Sequence, residues 1–355
     1  MPSTRAPRDS GVTMKLVTVR TDSPALAQAA GKVLCHDVRG AGRRRGGVLF
    51  KGSTLTDDDV RRLSDLPGQE VHLLAVEPGD VPEDEAARRI AVAVSGPGIT
   101  LKGPHQSRFG LLARHRGVLR VKAAALWDVD CVEHVSVYTW YDGQVVDEGD
   151  EVGAAKVTPL VVEEATVREV ERIAREHAPI VDVAPFLLHT VGMVVSEELD
   201  ARARTRFEAS IRDRLAWFGS RLLGVRYVEP DGAGAAAAVR ELLASGADLI
   251  LTGGGNAIDP ADPMLRALNE LGVPLEKHGV PAHPGSMLWL AYLGDTPMLG
   301  LPSCGMYSRA TAMDIVLPQV LTGRRPRRAD LAALGHGGHL TREMEFRFAP
   351  YEPAE

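Results

Sequence analysis

Cysteine, aromatic residues and long apolar runs are all scarce in this chain of 355 residues. Its three cysteines, Cys35, Cys131 and Cys304, stand far apart, and such a set argues against a disulfide framework or a paired-cysteine metal site. No apolar run reaches the roughly 18 residues of a membrane-spanning helix. The opening residues MPSTRAPRDSG lack the apolar core of a signal peptide. We therefore expect a cytoplasmic protein that does not contact a membrane.

An excess of positive charge is also missing. The formal net charge is −6 at pH 7, whereas a general nucleic-acid binder is usually basic, so we expect no nucleic-acid partner. Hydrophobic residues make up 45% and charged residues 25% of the chain, which is typical of a globular protein. The length corresponds to roughly two domains.

The chain is rich in predicted strands up to residue 157. We interpret residues 1–13 as a flexible tail or as the result of an upstream start, because the first strand-like run opens at Met14. Between 14 and 157, short apolar or alternating runs are separated by glycine and proline, as strands are. Two short helices are predicted at 56–66 and 82–94, and each has an acidic first turn that suits the helix dipole. This pattern predicts an N-terminal, β-rich α+β region.

Helices and strands alternate after residue 157. The sequence predicts a linker helix over 158–180, an α/β domain over 181–330 and a C-terminal tail over 331–355. Alternating units of this length favour a mostly parallel sheet with helices on both faces. Because ligands of such sheets bind at the carboxyl ends of the strands, the pattern selects three loops: 252–262, 283–286 and 302–307.

The most informative segment is ADLILTGGGNAIDPADPM at 247–264. A buried-type strand ends at Thr252, and the glycines after it allow positive φ and an anion-binding row of amides. Asp262 and Pro263 are suited to begin the next helix, whose dipole adds positive potential. The segment is neither a Walker A loop nor a GxGxxG loop. It predicts a phosphate-binding loop, with a plain strand-to-helix turn as the alternative.

Asp259 lies in the same segment. A carboxylate repels an anion, so its presence indicates either a divalent metal that screens the phosphate or a group that orients a nucleophile. The alternative is a turn cap between Asn256 and Pro260.

The other two loops are VPAHPGSM at 280–287 and GLPSCGMYS at 300–308. Both combine proline and glycine turns with small hydroxyl side chains, which suit hydrogen bonding to an oxyanion. We interpret His283 as structural and Cys304 as a small packing residue rather than a thiolate. The HGGH segment at 336–339 is interpreted as a solvated connector.

In this order and spacing the three loops resemble the molybdopterin-binding domain of molybdenum-cofactor biosynthesis enzymes, the MoeA/MogA class, most clearly over 186–323. The matching pieces are the T-G-G motif at Thr252-Gly253-Gly254-Gly255-Asn256, the aspartate at Asp259, and the turns Pro284-Gly285 and Gly300-Leu301-Pro302. GKVLCHDVRG and GVLFKGSTLTDDDVRRL resemble the G-x-x-L-x-x-D segment and the F-x-K-G turn of molybdotransferase N-terminal regions. The D-P-x-D and G-H-G-G segments resemble a branch of molybdopterin-binding proteins.

The resemblance implies a three-layer, MogA-like fold and a homodimer. Its ligand would be molybdopterin or molybdopterin-AMP, with Mg²⁺ and molybdate taking part, and its partner a molybdoenzyme. Asp259 would hold the metal or assist hydrolysis of the adenylate. The residues that would bind the cofactor are Thr252, Gly253, Gly254, Gly255, Asn256, Asp262, Pro284, Gly285, Ser286, Pro302, Ser303 and Cys304.

Two positions depart from the molybdotransferase pattern. The usual P-G-K-P turn reads Pro284-Gly285-Ser286-Met287, and the usual G-L-P-G-N-P turn has no asparagine. A lysine offers a fixed positive charge, whereas serine is a weaker, neutral donor. Two functions therefore stay open: a molybdotransferase-like or adenylyltransferase-like enzyme, and a carrier that stores or delivers the cofactor. A third interpretation is an unrelated nucleotide-binding α/β protein.

Overall fold

The structure is a computed structural model that describes residues 16–40, 47–66, 68–229, 231–254, 258–301 and 310–350. Within these ranges the chain has mixed α/β content with strands in several sheets, as the sequence predicts. None of the helices in these ranges is both long and apolar enough to cross a membrane.

The part of the chain before residue 186 contains the smaller sheets. Its described strands are β1 Leu16–Arg20, β2 Val33–Leu34, β3 Val38–Arg39, β4 Val48–Leu49, β5 Glu70–Leu74, β6 Asp80–Pro82, β7 Ile99–His105, β8 Arg108–Ala113, β9 Gly117–Val121, β10 Val135–Thr139, β11 Val145–Val146, β12 Glu151–Val157, β13 Val161–Glu163 and β14 Val181–Pro185. They pair in the orders β1-β5-β2, β3-β4, β6-β13, β10-β12-β8-β7 and β11-β9-β14. The helices are a 3-10 helix Pro24–Gln28, α1 Asp57–Ser64, α2 Glu83–Val94, α3 Ala123–Asp130 and α4 Glu164–His177.

The two short helices predicted in this part are present as α1 and α2. Thr56 caps α1: its hydroxyl accepts from the Asp59 amide at 3.2 Å, and the Asp59 carboxylate accepts from the Thr56 amide at 3.0 Å. This reciprocal pair satisfies two donors that the first helical turn leaves free. The predicted β-rich content around these helices is also confirmed.

Helix α4 lies where the sequence predicts a linker. Its apolar face, Val167, Val170, Ile173 and Ala174, is buried in the same core as α2, α3 and the β7–β12 strands. The apolar residues just before it form β13, which pairs with β6 instead of extending the helix. The helix therefore contributes to the core of the N-terminal part.

An ion-pair network joins α2 to α4. Arg89 donates from Nη1 to Glu164 at 2.6 Å and from Nε to Glu171 at 2.9 Å, and Arg168 donates to Glu164 at 2.9 Å. The hydrogen bonds from Arg89, followed by those from Arg168, lower the pKa of Glu164 to about 2. Glu164 is therefore a charged, half-buried partner that ties the two helices together.

This network predicts a specific dependence of stability on pH. A depressed pKa in the folded state means that Glu164 stabilises the fold above its unfolded pKa of about 4.3, and that this contribution disappears as the pH falls toward 2. We expect the melting temperature to fall less steeply across that window in Glu164→Gln than in the unmodified protein. Glu163→Gln, at an exposed neighbour with no ion pair to any described residue, is the control. Parallel curves for all three proteins would contradict the assignment.

The part of the chain after residue 186 is organised around one six-stranded sheet. Its described elements are β15 Thr190–Val195, α5 Ala201–Trp217, β16 Arg221–Tyr227, α6 Gly232–Ala244, β17 Leu249–Gly253, α7 Pro263–Glu270, β18 Leu275–His278, β19 Trp289–Leu293, β20 Thr296–Gly300, α8 Ala312–Leu321, α9 Arg328–Ala333 and a 3-10 helix Arg342–Arg347. The strand order is β16-β15-β17-β20-β19-β18.

The sheet has a parallel half and an antiparallel half. Strands β16, β15, β17 and β20 are parallel, whereas β19 and β18 run antiparallel to their neighbours. Gly294 and Asp295 alone connect β19 to β20, and so short a loop permits a hairpin but no crossover. Three of the five strand pairings are therefore parallel, and β19 alone runs against the direction of the other five described strands.

Helices cover both faces of this sheet. Successive side chains of a strand point to opposite faces, and in β15 Val191, Met193 and Val195 pack with α5 and α8. Val194 lies in the other core, with α6 and α7. The α/β arrangement leaves the ends of the strands as the exposed edges at which loops meet.

Candidate functional site

The pairing of the strands brings the described residues next to the predicted loops to one edge of the six-stranded sheet. Thr252, at the end of β17, pairs with Gly300 at the end of β20, and Gly300 pairs with Trp289 at the start of β19. Because β19 is antiparallel, the turn that precedes it lies at the same edge as the carboxyl ends of β17 and β20. The end of β17, the turn before β19 and the end of β20 therefore lie at this edge, and residues 302–307 of the third predicted loop lie outside the described residues.

The loop after β17 depends on glycine at position 254. Gly254 has φ +78°, and a Cβ there would lie 2.2 Å from Cβ and 2.7 Å from the backbone N of Glu197. Ser196 holds the two segments together by donating its amide to the Gly253 carbonyl at 3.2 Å. The Gly254 amide donates to no described residue, so it is available to an anion. Gly255 and Asn256, also predicted to bind, lie outside the described residues.

Two buried polar atoms near this edge have no hydrogen-bond partner. They are the hydroxyl of Ser196, directly after β15, and Oδ2 of Asp262, directly before α7. A buried polar atom without a partner costs about 1–3 kcal/mol, so such atoms are rare and indicate a ligand, ion or water. Ser196 is not predicted from the sequence, where its only signal is its position directly after a buried strand.

Asp262 caps α7 with its other carboxylate oxygen. Oδ1 accepts from the amides of Met264 at 2.9 Å and Leu265 at 3.1 Å, and Pro263 occupies the first helical position, which needs no amide hydrogen. The cap that the sequence predicts is present. One oxygen of this buried carboxylate is thus used by the helix and the other is unused.

Asp259 is exposed at the tip of the same loop. Its Oδ1 accepts from the Ala261 amide at 2.8 Å, and its carbonyl accepts from the Asp262 amide at 2.9 Å. This is the turn-cap geometry that the sequence analysis keeps as the alternative. A cavity of about 360 Å³ adjoins the loop and includes Ile258, Pro260 and His278 in its lining. A catalytic or metal-binding role of Asp259 stays a prediction.

The Pro284-Gly285-Ser286 turn docks on the start of α8. The Ala312 amide donates to the Pro284 carbonyl at 2.9 Å, and a Cβ on Gly285, which has φ +102°, would lie 2.8 Å from that amide nitrogen. Gly285 therefore allows the close approach, while Ser286 is exposed at the edge. Pro302, Ser303 and Cys304 lie outside the described residues.

The HGGH segment contacts this turn through its backbone, while His336, Gly337 and His339 are exposed to solvent. His283 donates its amide to the Gly338 carbonyl at 2.7 Å and accepts from the Leu340 amide at 2.8 Å, which places His283 beside His339 in a parallel bridge. Gly338 is buried, and a Cβ there would lie 2.3 Å from the Pro281 carbonyl oxygen. Both histidine side chains are exposed. The backbone of the segment has a structural role, because its hydrogen bonds with His283 fix the residue that precedes the Pro284 turn.

A buried ion pair supports the start of α8. The Asp314 carboxylate accepts from the amide and hydroxyl of Thr311 at 2.9 and 2.8 Å, and its other oxygen lies 3.9 Å from Nε of Arg214 on α5. The two charged side chains are 0% and 5% exposed. The T-x-x-D spacing at 311–314 signals the cap, but the sequence does not signal the arginine.

The described residues fit a phosphate better than a fully protein-bound metal. They contain no group of three or more histidine, cysteine, aspartate or glutamate side chains that could hold a metal ion. A Mg²⁺ ion takes few protein carboxylates and completes its shell with water and phosphate oxygens, and Asp259 and Asp262 offer the carboxylate oxygens here. The free amide of Gly254 suits the phosphate itself.

Comparisons with known proteins name no family for the whole chain. Residues 24–73 match the model of a family described as a domain of unknown function, DUF8806. No curated protein matches the chain significantly. Among solved structures, the molybdopterin biosynthesis MoeA protein from Pyrococcus horikosii is similar, with 10% identity, 87% of this chain and 75% of that chain covered, and a TM-score of 0.29. A NadC deletion mutant has 15% identity, 45% and 69% coverage, and a TM-score of 0.16. TM-scores this low do not establish a shared fold.

Proposed function

We propose that this protein acts in molybdenum-cofactor biosynthesis. It binds molybdopterin or its adenylate at the edge formed by β17, β19 and β20, and acts in molybdate insertion or adenylate processing. The observation that carries the proposal is the strand pairing that brings the Thr252–Gly254, Pro284–Ser286 and Gly300–Leu301 motifs to one edge. The motifs supply the identity of the ligand and the strand register supplies a common place for it.

The phosphate end of the ligand binds at the glycine loop. The support is that the amide of Gly254 donates to no described acceptor and that Gly254 has the left-handed backbone, φ +78°, found in anion-binding turns. Asp259 and Oδ2 of Asp262 hold Mg²⁺, which screens the phosphate from the carboxylates. Ser286 and the 302–304 segment donate neutral hydrogen bonds to the pterin or molybdate end.

The proposal extends to the fold and the assembly. The six-stranded sheet with helices on both faces is assigned to the three-layer, MogA-like class, and the chain to a homodimer that serves a molybdoenzyme. The support for the fold is the helices α5 and α8 on one face of the sheet and α6 and α7 on the other.

A cofactor carrier without chemistry is the second candidate. Two observations favour it: serine replaces the lysine of the P-G-K-P turn, and one oxygen of Asp259 is engaged by the Ala261 amide of its own turn. Such a protein would bind the cofactor through the same edge and release it unchanged.

Release of AMP separates the two candidates. The full chain is incubated with molybdopterin-AMP, Mg²⁺ and molybdate, and AMP is measured over time. We expect release that falls at least about a hundredfold in Asp259→Ala, as is usual when a charge-stabilising group is removed. Asp295→Ala is the matched control, because Asp295 is exposed in the β19–β20 turn at the other end of these strands.

Each remaining outcome of this assay has a definite meaning. Tight binding of molybdopterin-AMP without AMP release supports the carrier. No detectable binding by the unmodified chain overturns both candidates.

A further inference from the structure

A second cavity lies in the N-terminal part of the chain and takes no part in the proposed function. Its volume is about 480 Å³, within the range of small-molecule sites. Three segments form its walls: the Phe50–Thr54 turn, the start of α2 at Pro82–Asp84, and the β7–β8 hairpin turn with Gln106 and Ser107. The first wall belongs to the 24–73 segment that matches DUF8806.

Glu83 is the most unusual residue of this cavity. It keeps only 8% of its exposed area, yet among the described residues its carboxylate has no hydrogen-bond or ion-pair partner. Its amide is used, because it donates to the Leu160 carbonyl at 2.9 Å. The turn packs closely against it, since a Cβ on Gly52 would lie 2.8 Å from Oε1. The oxygens of Glu83 are not among the fully buried atoms that lack a partner, so the carboxylate reaches the cavity that Glu83 lines, where a cationic ligand would give it a charged hydrogen-bond partner.

Ser107 adds a second buried polar group from a different element. It keeps 7% of its exposed area, and no described residue bonds its hydroxyl. Gln106 and Ser107 form the tight turn of the β7–β8 hairpin, with φ 51° and 60°, which are type I′ values. This turn places Ser107 in the lining of the same cavity as Glu83.

The charges of the lining select the class of ligand. Among the described lining residues, Asp37, Glu83 and Asp84 outnumber the cation Lys51, and this excess of carboxylates favours a cationic ligand over an anion. The described part of the chain offers no group of three metal-ligating side chains, which leaves a metal ion with too few protein ligands. Pro82, Pro104 and Leu160 add apolar surface that suits the body of an organic molecule.

We propose that this cavity binds a small organic cation whose N–H donors, of the amidinium or ammonium type, pair with the carboxylate of Glu83. Two parallel hydrogen bonds from a planar amidinium to one carboxylate are both strong and directional. The Ser107 hydroxyl accepts a further donor, and the apolar walls enclose the rest of the molecule. Binding here is independent of the glycine loop after β17.

Calorimetric titration of the full chain with benzamidine and with benzylamine tests the proposal. Benzamide, which has the shape of benzamidine without its charge, is the comparison ligand. Removing a hydrogen-bonded charge pair weakens the binding affinity about tenfold or more. We therefore expect the unmodified protein to bind at least one of the two cations at least tenfold more tightly than benzamide.

Variants then locate the site. Glu83→Gln keeps the size of the side chain and is expected to lower the affinity for the cation about tenfold or more. Glu85→Gln is the matched control, because Glu85 lies in the same helical turn but pairs with Arg88 at 2.7 Å and does not line the cavity. Its affinity is expected to stay within twofold of the unmodified protein.

Three outcomes would overturn the proposal. One is benzamide binding as tightly as the better cation, and another is an unchanged affinity in Glu83→Gln. The third is saturable binding of MgCl₂ alone that Glu83→Gln abolishes, which would make the cavity a metal site. These measurements do not depend on the glycine loop, so failure of Asp259→Ala to bind molybdopterin would not change the interpretation of any of them.

Discussion

Replacing Asp314 by alanine is expected to lower the free energy of unfolding by about 3–5 kcal/mol. The substitution leaves the Arg214 guanidinium, 5% exposed, without the charge that faces it at 3.9 Å. It also removes the acceptor for the amide and hydroxyl of Thr311 at the start of α8. Removing a fully buried carboxylate that faces a buried guanidinium and caps a helix is strongly destabilising, and urea unfolding followed by circular dichroism measures the loss.

Asp330→Ala is the matched control for burial. Asp330 forms the same type of cap at the start of α9, accepting from the Arg327 amide at 2.7 Å, and pairs with Arg324 at 2.7 Å. Because these side chains are about one-third exposed, its loss is expected to cost about 1 kcal/mol. The double variant Arg214→Met, Asp314→Leu is expected to recover part of the stability, since no charge is left buried. If Asp314→Ala and Asp330→Ala lower the free energy of unfolding equally, burial is not what makes the Asp314 carboxylate important for stability.

Gly254→Ala is expected to lower the free energy of unfolding by about 2–4 kcal/mol and to abolish ligand binding at the glycine loop. Alanine is strained at φ +78°, and its Cβ would meet Cβ of Glu197 at 2.2 Å and the Glu197 backbone N at 2.7 Å. The loop must move away from the end of β15 to make room. Urea unfolding measures the first effect, and titration with molybdopterin measures the second.

Gly246→Ala separates strain from steric contact. Gly246 has φ +94°, and nothing lies within 4 Å of a Cβ built on it. It precedes the same strand at the opposite end. Gly246→Ala is therefore expected to lower the free energy of unfolding by the cost of backbone strain alone, about 1–2 kcal/mol, and to retain ligand binding. If both variants lose the same stability and both still bind the ligand, the close approach of Glu197 to Gly254 does not shape the site.

The local pattern of the sequence predicts the elements after residue 186 well. Strand β17 lies where the buried-type run before the glycine loop predicts it. The Asp262–Pro263 start of α7 is also present. These features depend on residues a few positions apart, which is why the sequence alone reveals them.

The contacts that build the candidate site are not local. His283 lies beside His339, and Arg214 faces Asp314, through folding that joins distant segments. The antiparallel half of the sheet follows from the two-residue connection between β19 and β20, which the residue pattern of the two strands does not reveal. The packing of α4 likewise depends on its contacts with α2.

By itself the sequence determined the glycine loop after a buried strand, the cap at Asp262 and the motifs that suggest a pterin ligand, because each depends on backbone conformation within one segment. Only the packing of several segments places the ends of β17 and β20 and the start of β19 at one edge, leaves Ser196 and Oδ2 of Asp262 buried without partners, and puts Glu83 in the lining of a cavity. Burial and proximity are properties of several segments packed together, and the free energy of a charged or polar group depends on that packing more than on its neighbours in the chain.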